Sequence, residues 1–491
     1  LRRDADRLAR ALAARGIGRG DGVAVYLPQS VETVVAHLAT YKLGAVVVPL
    51  AALFGEEALR VRLEAADVSA VLTDAAGVAR LAPLGAAMPS LGALISVDGA
   101  DGAAEGWHAA LAPHDAGFAA AATGPDDPAL MIFTSGTTGA PKGALHGHRV
   151  LAGHLPGFAF SHDFPNGPDA RFWTPSDWAW AGGLLNALLP SLFHGIPVVF
   201  GPFRRFHPEG AFALMAGAGV TNAFLPPTAI KMMAAVPEPR SRHRLALRTI
   251  GSAGERLGAA AYAWSAATLG ITVNEFYGQT ECNYVLGASA ALGVTRAGAI
   301  GRPIPGHAVA VLDAEGRELP AGEQGEIAIR RPDPSMFLGY FRQAGATAEK
   351  FTGDWMRTGD QAVADADGYV HFVGRDDDII TSAGYRIGPS EIEDCLAAHP
   401  AVQLAAAVGK PDPLRTEIVK AYVMLRGGFA PSAALAAEIK GFVRARLSAA
   451  EYPREIAFVD EVPLTTSGKV IRRAFRERAA AEAGAAGPGE G

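Results

Sequence analysis

The chain has 491 residues, 49% hydrophobic and 19% charged, a globular composition that excludes wholesale disorder and outgrows one ordinary core. A formal net charge of −6 gives no electrostatic reason to expect nucleic acid as a partner. Two cysteines, Cys282 and Cys395, lie far apart in the chain and suit a reducing, cytoplasmic compartment better than a disulfide scaffold.

Residues 1–16 read as a charged amphipathic helix, and Leu1 is not a methionine, so the natural N-terminus is expected upstream. Short apolar runs at 22–27, 45–49 and 68–73 predict strands, and helical patterns at 31–43 and 56–65 alternate with them. That alternation predicts a mainly parallel sheet covered by helices. Residues 129–133 form another apolar run, bounded by Pro128 and by glycines, which reads as a buried strand emptying into a loop. From Trp178 to Phe203 no residue is charged, a length that would cross a bilayer. Gly182, Gly183, Asn186, Pro190, Gly195, Pro197 and Gly201 interrupt it, so a buried helix followed by a strand is expected, without stable membrane insertion. Strands are expected again at 197–200, 222–225, 247–251 and 272–277. Residues 298–375 change to short strands with turn signals at 313–316 and 366–368, a β-rich part compatible with a small barrel. Residues 376–478 then read as a compact α+β unit: a helix at 389–398, strands at 404–408 and 418–425, and a helix at 434–447. Residues 479–491, dominated by Ala, Gly, Glu and Pro, are expected to be a disordered tail. The fold class is therefore α/β, with a large N-terminal domain (1–375) and a small mobile C-terminal domain.

Residues 134–143 read TSGTTGAPKG: four hydroxyls, three glycines and one lysine after a strand. Glycines let backbone N–H groups approach an anion closely, and the hydroxyls of Thr134, Ser135, Thr137 and Thr138 add donors around Gly136 and Gly139. Lys142, expected in the loop itself, adds a point charge for phosphate oxygens. The loop is not a Walker P-loop, which would need glycine at 141 and Ser or Thr at 143 where the chain has Pro141 and Gly143. A second cluster, YGQTE at 277–281, puts a ring, an amide, a hydroxyl and a carboxylate at a strand end, a common ligand position in α/β sheets. Taken alone, TGD at 358–360 is weak, and the charge run at 374–378 reads equally as a solvated loop. His146 and His148 lack the further ligands of a metal site, and Cys282 has no histidine base in local sequence.

In this order, the segments at 134–143, 251–256, 277–281, 357–360, 374–388 and 463–469 resemble the signature of the adenylate-forming superfamily. That superfamily holds acyl- and aryl-CoA synthetases, peptide-synthetase adenylation domains and firefly-type luciferases. The resemblance covers nearly the whole chain and is greatest to short- and medium-chain acyl-CoA synthetases. It implies ATP, CoA and a small carboxylic acid as substrates, with Mg²⁺ as cofactor. By the same resemblance, Tyr277 and Gly278 line the adenine site beside Gly254, Glu255 and Arg256, although many members carry proline where this chain has Arg256. Gln279 belongs to the same nucleotide segment, Thr280 meets the α-phosphate and Glu281 helps hold the metal. Asp360 accepts the ribose hydroxyls near Arg375, and Asp377 is the hinge. Gly384, Tyr385 and Arg386 belong to the segment that lines the pantetheine tunnel. Lys469 contacts the substrate carboxylate and α-phosphate during adenylation.

The resemblance also assigns an acyl pocket to Trp178, Trp180, Ala181 and Gly278. Acetate-selective members carry tryptophan at the position of Gly278, so a glycine here implies an acid larger than acetate: short- to medium-chain, branched or aryl. The reaction implied is AMP-forming ligation of that acid to CoA. A stand-alone adenylation enzyme loading a carrier protein and a non-catalytic nucleotide sensor are the two rivals. The sequence carries no indication of oligomeric state.

Overall fold

The computed structural model describes residues 1–491 except 89, 135–140, 202–205, 383–384, 413–414, 448–451, 465–469 and 486–491. An eight-stranded sheet runs in spatial order Gly339–Tyr340, Lys142–Gly147, Pro128–Thr134, Val46–Pro49, Gly22–Tyr26, Val68–Thr73, Ala93–Ser96 and Glu105–Gly106. From Pro128–Thr134 onward the pairing is parallel, as the alternation of strands and helices predicts. Successive side chains divide cleanly between two cores. Val23, Val25, Val47, Leu130 and Ile132 face one, while Ala24, Tyr26, Val46, Val48, Met131 and Phe133 face the other. Both faces are covered, which is why these strands are continuous apolar runs instead of alternating ones. Helix Val31–Leu43 is bounded by its own chemistry: Ser30 Oγ accepts the Thr33 N–H, and Gly44 closes the far end at φ +69°.

A second, seven-stranded sheet is ordered Arg302–Pro303, Leu286–Gly287, Val273–Tyr277, Thr249–Ser252, Asn222–Phe224, Phe172–Trp173 and Val198–Val199. Its last five strands are parallel. The charge-free stretch from Trp178 folds as helix Ala181–Gly183, a wide turn Leu184–Leu188 and helix Leu189–Phe193, followed by strand Val198–Val199. Among the described residues no helix is long and apolar enough to cross a membrane. The β-rich part is a five-stranded antiparallel sheet built around the long strand Trp355–Ala364, and its strand path is open where a closed barrel was one expectation.

The C-terminal unit is a five-stranded sheet with helices on both faces. Ile392, Leu396, Ile439 and Val443 cover one side, and Phe475 and Ala479 cover Tyr422 on the other. Residues 479–485 of the expected tail are helical instead: helix Arg472–Ala485 runs through that boundary. Ala479 is fully buried, and Glu482 pairs with Lys420 and Arg478. Alanine-rich composition is equally good helix-forming composition, and tertiary burial decides between the two.

Candidate active site

Strands Pro128–Thr134 and Lys142–Gly147 are antiparallel neighbours, with Thr134 opposite Lys142 and Thr134 Oγ1 3.4 Å from the Lys142 carbonyl. The glycine-rich loop is therefore the connection of a β-hairpin. Lys142 is the first residue of the returning strand, not part of the loop, and the ladder fixes its backbone. Gly143 has a packing role: a Cβ there would lie 2.7 Å from Met131 Sδ.

Residues 277–281 leave the end of strand Val273–Tyr277 in a tight turn, with Gln279 N–H on the Cys282 carbonyl and Val285 N–H on the Tyr277 carbonyl. One end of this turn grips Asp360. The Tyr277 hydroxyl and Gln279 Nε2 both donate to Asp360 Oδ2, at 2.5 and 2.6 Å, and Gln279 also donates to the Thr358 carbonyl. Asp360 is 5% exposed and lies opposite Arg375 in the adjoining strand, with Arg375 3.5 Å from Oδ1. Burial, reinforced by the Asp360 charge, pushes the Tyr277 phenol well above its ordinary range, so it stays protonated as a donor. At the other end of the turn, the Glu281 carboxylate is buried and accepts from the Tyr340 hydroxyl, while its carbonyl accepts the Phe337 N–H at 2.7 Å. The Lys142 ammonium lies 5.2 Å from the Tyr340 ring centroid. Two distant segments, 358–360 and 337–340, thus grip one five-residue turn, with Arg375 and Lys142 set behind them.

The sequence of the chain matches the AMP-binding enzyme model over residues 1–341 and the AMP-binding enzyme C-terminal domain model over residues 391–469. The chain belongs to the AMP-binding enzyme family. Its relatives include an acetyl-coenzyme A synthetase of Bacillus subtilis (strain 168), 33% identical over 97% of this chain and 84% of the relative. The mitochondrial acyl-coenzyme A synthetase ACSM2 of Rattus norvegicus is 32% identical over 95% and 82%. Among solved structures, the anthranilate CoA ligase AuaEII with anthranoyl-AMP superposes with a TM-score of 0.89 at 27% identity, covering 98% of this chain and 92% of that one. This AMP-binding enzyme is accordingly an AMP-forming ligase of the acyl-CoA synthetase type, an adenylate-forming fold of a large α/β domain and a smaller C-terminal domain.

Other residues singled out in the sequence are less concentrated. Gly254 takes φ +100°, and Glu255 accepts the Thr228 hydroxyl at 2.8 Å. The Arg256 side chain turns to Asp394 of helix Pro389–Ala397 at 3.6 Å, so where other members carry proline this enzyme has a contact between its two domains. Lys231 reaches the same carboxylate at 3.6 Å. Trp178 and Trp180 do not share a wall. Trp178 is buried in the first core against Phe200, whereas Trp180 packs edge-on to Phe54 beside the second core. Ala181 packs on the first core with Trp178. The absent side chain of Gly278 is a backbone requirement: a Cβ there would lie 2.5 Å from Asn283 Cα and Tyr284 N. Ser135, Gly136, Thr137, Thr138, Gly139, Gly384 and Lys469 lie outside the described residues, as do the side chains of Asp377, Tyr385 and Arg386.

Sequence reasoning missed Tyr340, Lys231, Asp394 and the buried amide pair in which Asn283 Nδ2 donates to Asn186 Oδ1 at 2.6 Å. Nothing local marks them, because each gains its role from a residue far away in the chain. Glu275 is another. It accepts the Leu257 N–H and faces Arg256, Asp394 and Lys231, and burial raises its pKa to about 7. An unfolded glutamate titrates near 4.3, so between about pH 4 and pH 7 the unfolded chain releases a proton that the folded chain retains. Folding stability therefore falls across that window. Glu275→Gln is expected to match the parent at pH 4 and to gain about 1 kcal/mol or more at pH 8, read by urea unfolding at both values.

Proposed function

We propose that the enzyme activates a carboxylic acid larger than acetate with ATP, releasing pyrophosphate, and then transfers the acyl group from the adenylate to the thiol of CoA. The observation that carries this reading is the double grip on residues 277–281: Asp360 held at one end, Glu281 and Lys142 gathered around Tyr340 at the other. In this reading Asp360 accepts the ribose hydroxyls. Tyr277 and Gln279 hold its carboxylate in place by occupying Oδ2, so no reorganisation is needed when nucleotide enters. Thr280 meets the α-phosphate, and the Lys142 ammonium offsets triphosphate charge. The role of Lys469 in this reading is to lower the repulsion between the attacking carboxylate and the α-phosphate as the acyl oxygen attacks phosphorus.

A magnesium ion fits this set. Glu281 offers one buried carboxylate, and among the described residues no group of three or more His, Cys, Asp or Glu makes an all-protein cage. Magnesium characteristically takes one or two carboxylates and fills its remaining positions with water and phosphate oxygens. When bound, it neutralises phosphate charge that Lys142 and Lys469 meet only in part.

The larger acid rests on the family resemblance, in which acetate-selective members close the acyl pocket with tryptophan at the position of Gly278. Here the turn packs Gly278 against the backbone of Asn283 and Tyr284, which excludes any side chain at that position in this arrangement. Each methylene of substrate buried in the pocket is worth about 0.8 kcal/mol, or roughly fourfold in the specificity constant. A structural neighbour named for anthranilate lends this weight, while the acetyl-coenzyme A synthetase relative is the competing precedent.

The acceptor has a second reading, since an amide bond synthetase, McbA of Marinactinospora thermotolerans, shares this fold at a TM-score of 0.85 and 28% identity. Pyrophosphate release measured over C2–C10, branched and aromatic acids, followed by trapping with CoA, acyl carrier protein or an amine, tests both halves. AMP is the expected nucleotide product, with butyrate, hexanoate or benzoate above acetate and CoA as the productive acceptor. ADP with inorganic phosphate would sink the adenylate; an acetate preference would sink the larger acid.

A further inference from the structure

We infer that Tyr340 is a positioning residue that holds the Glu281 carboxylate and the Lys142 ammonium in one arrangement for the triphosphate end of ATP. The inference rests on the nucleotide reading above and adds to it a residue that no motif pointed to.

Strand Gly339–Tyr340 pairs antiparallel with Lys142–Gly147, placing Tyr340 opposite Ala144. Residues 142 and 144 share a face of their strand, so Tyr340 and Lys142 are diagonal cross-strand neighbours, close enough for an aromatic ring to meet an ammonium. The ring does meet it, at 5.2 Å. The Leu338 N–H on the Leu145 carbonyl and the Phe341 N–H on the Gly143 carbonyl fasten Tyr340 on both sides. Its hydroxyl, at the far end of the ring, donates to Glu281 Oε1. The side chain is 7% exposed, and its phenol is driven upward first by burial and then by the Glu281 charge, which keeps the proton on the donor.

The platform behind Tyr340 is unusually well tied. The Phe337 N–H holds the Glu281 carbonyl, and Cys282 bridges Met336. Arg149 donates to the carbonyls of Asp333, Pro334 and Met336. Asp333, buried, accepts from Ser335 and pairs with His307 at 2.6 Å. A ring alone would fill the space. The hydroxyl is committed to a carboxylate that must sit beside polyphosphate, where an unrestrained anion would swing away from like charge.

Tyr340→Phe removes that oxygen and keeps the ring. A hydrogen bond to a charged group is worth about a tenfold effect or more. The variant is expected to bind a non-hydrolysable ATP analogue with Mg²⁺ about tenfold more weakly by calorimetry, to bind AMP as the parent does, and to stay folded with a melting temperature lowered by only a few degrees. In ATP–pyrophosphate exchange, the loss in Tyr340→Phe and in Glu281→Gln is expected not to add in the double variant, because one acts through the other. Parent-like analogue affinity in Tyr340→Phe while Glu281→Gln is impaired would overturn the inference and leave the site reading standing. So would equal weakening of AMP and analogue, or additive losses in the double variant. Unimpaired Glu281→Gln would overturn the site reading and the inference together.

Discussion

Lys469→Ala is expected to lower adenylation by two to three orders of magnitude, about 3–4 kcal/mol in the barrier, while thioester formation from supplied acyl-adenylate survives. The reason is electrostatic. Only in the first half-reaction do two anions, the acid and the α-phosphate, approach each other. A single preorganised ammonium between them is worth most there, and nothing in the second half-reaction replaces that need. The surroundings of Lys469 indicate that its removal spares the fold. Leu464 and Val470 bridge each other antiparallel, and the Ile471 N–H bonds the Pro463 carbonyl. Three residues on, Arg472 pairs with Glu393 and Asp378. The segment is therefore closed at its base by contacts that do not involve the lysine side chain. ATP–pyrophosphate exchange and transfer from synthetic acyl-adenylate, measured on the same preparation, check the prediction. Equal loss in both would mean Lys469 has no step of its own.

Much of this was legible in the chain, and for identifiable reasons. Helix Val31–Leu43 carries its own cap at Ser30 and its own stop at Gly44, so its bounds follow from local chemistry. The two-faced strands carry apolar runs because helices cover both sides. Glu281 stands out within a polar cluster at a strand end, whereas Asp360 stands out only through the order of motifs, since a three-residue TGD says little by itself. What stayed hidden is what tertiary packing decides. Gly278 looks like missing pocket volume in a sequence, yet its neighbours show a backbone-to-backbone approach. Arg256 sits within a segment that resembles a nucleotide-binding motif and spends its charge on Asp394 of the other domain. Residues 479–485 have the composition of a tail, yet they continue a helix whose Ala479 is fully buried. Tyr340 has no signature because its partners are 59 and 198 positions away in the chain.

Asp377→Pro is expected to leave ATP–pyrophosphate exchange close to the parent and to cut CoA thioester formation steeply. A swing of the small domain would have two residues to turn about. Arg375 ends a strand opposite Asp360 and contacts its carboxylate, so it belongs to the N-terminal domain. Asp378 is held by Arg472 and Arg476 of helix Arg472–Ala485, so it belongs to the C-terminal one. Between them lie only Asp376 and Asp377, in the single turn Asp376–Asp378. Any second domain arrangement must change backbone angles there. It must also separate Gly388, whose Cβ would lie 1.9 Å from the Val373 carbonyl, and release Asp394 from Lys231 and Arg256. Proline fixes φ near −65° at 377 and restricts residue 376 as well, removing the freedom the swing requires. If the variant populates the thioester-forming arrangement at about 1%, the transfer rate falls roughly a hundredfold. Separate rates for the two half-reactions measure this directly. Thioester formation at the parent rate in Asp377→Pro would show that the domains do not turn about this point, and that one arrangement serves both steps.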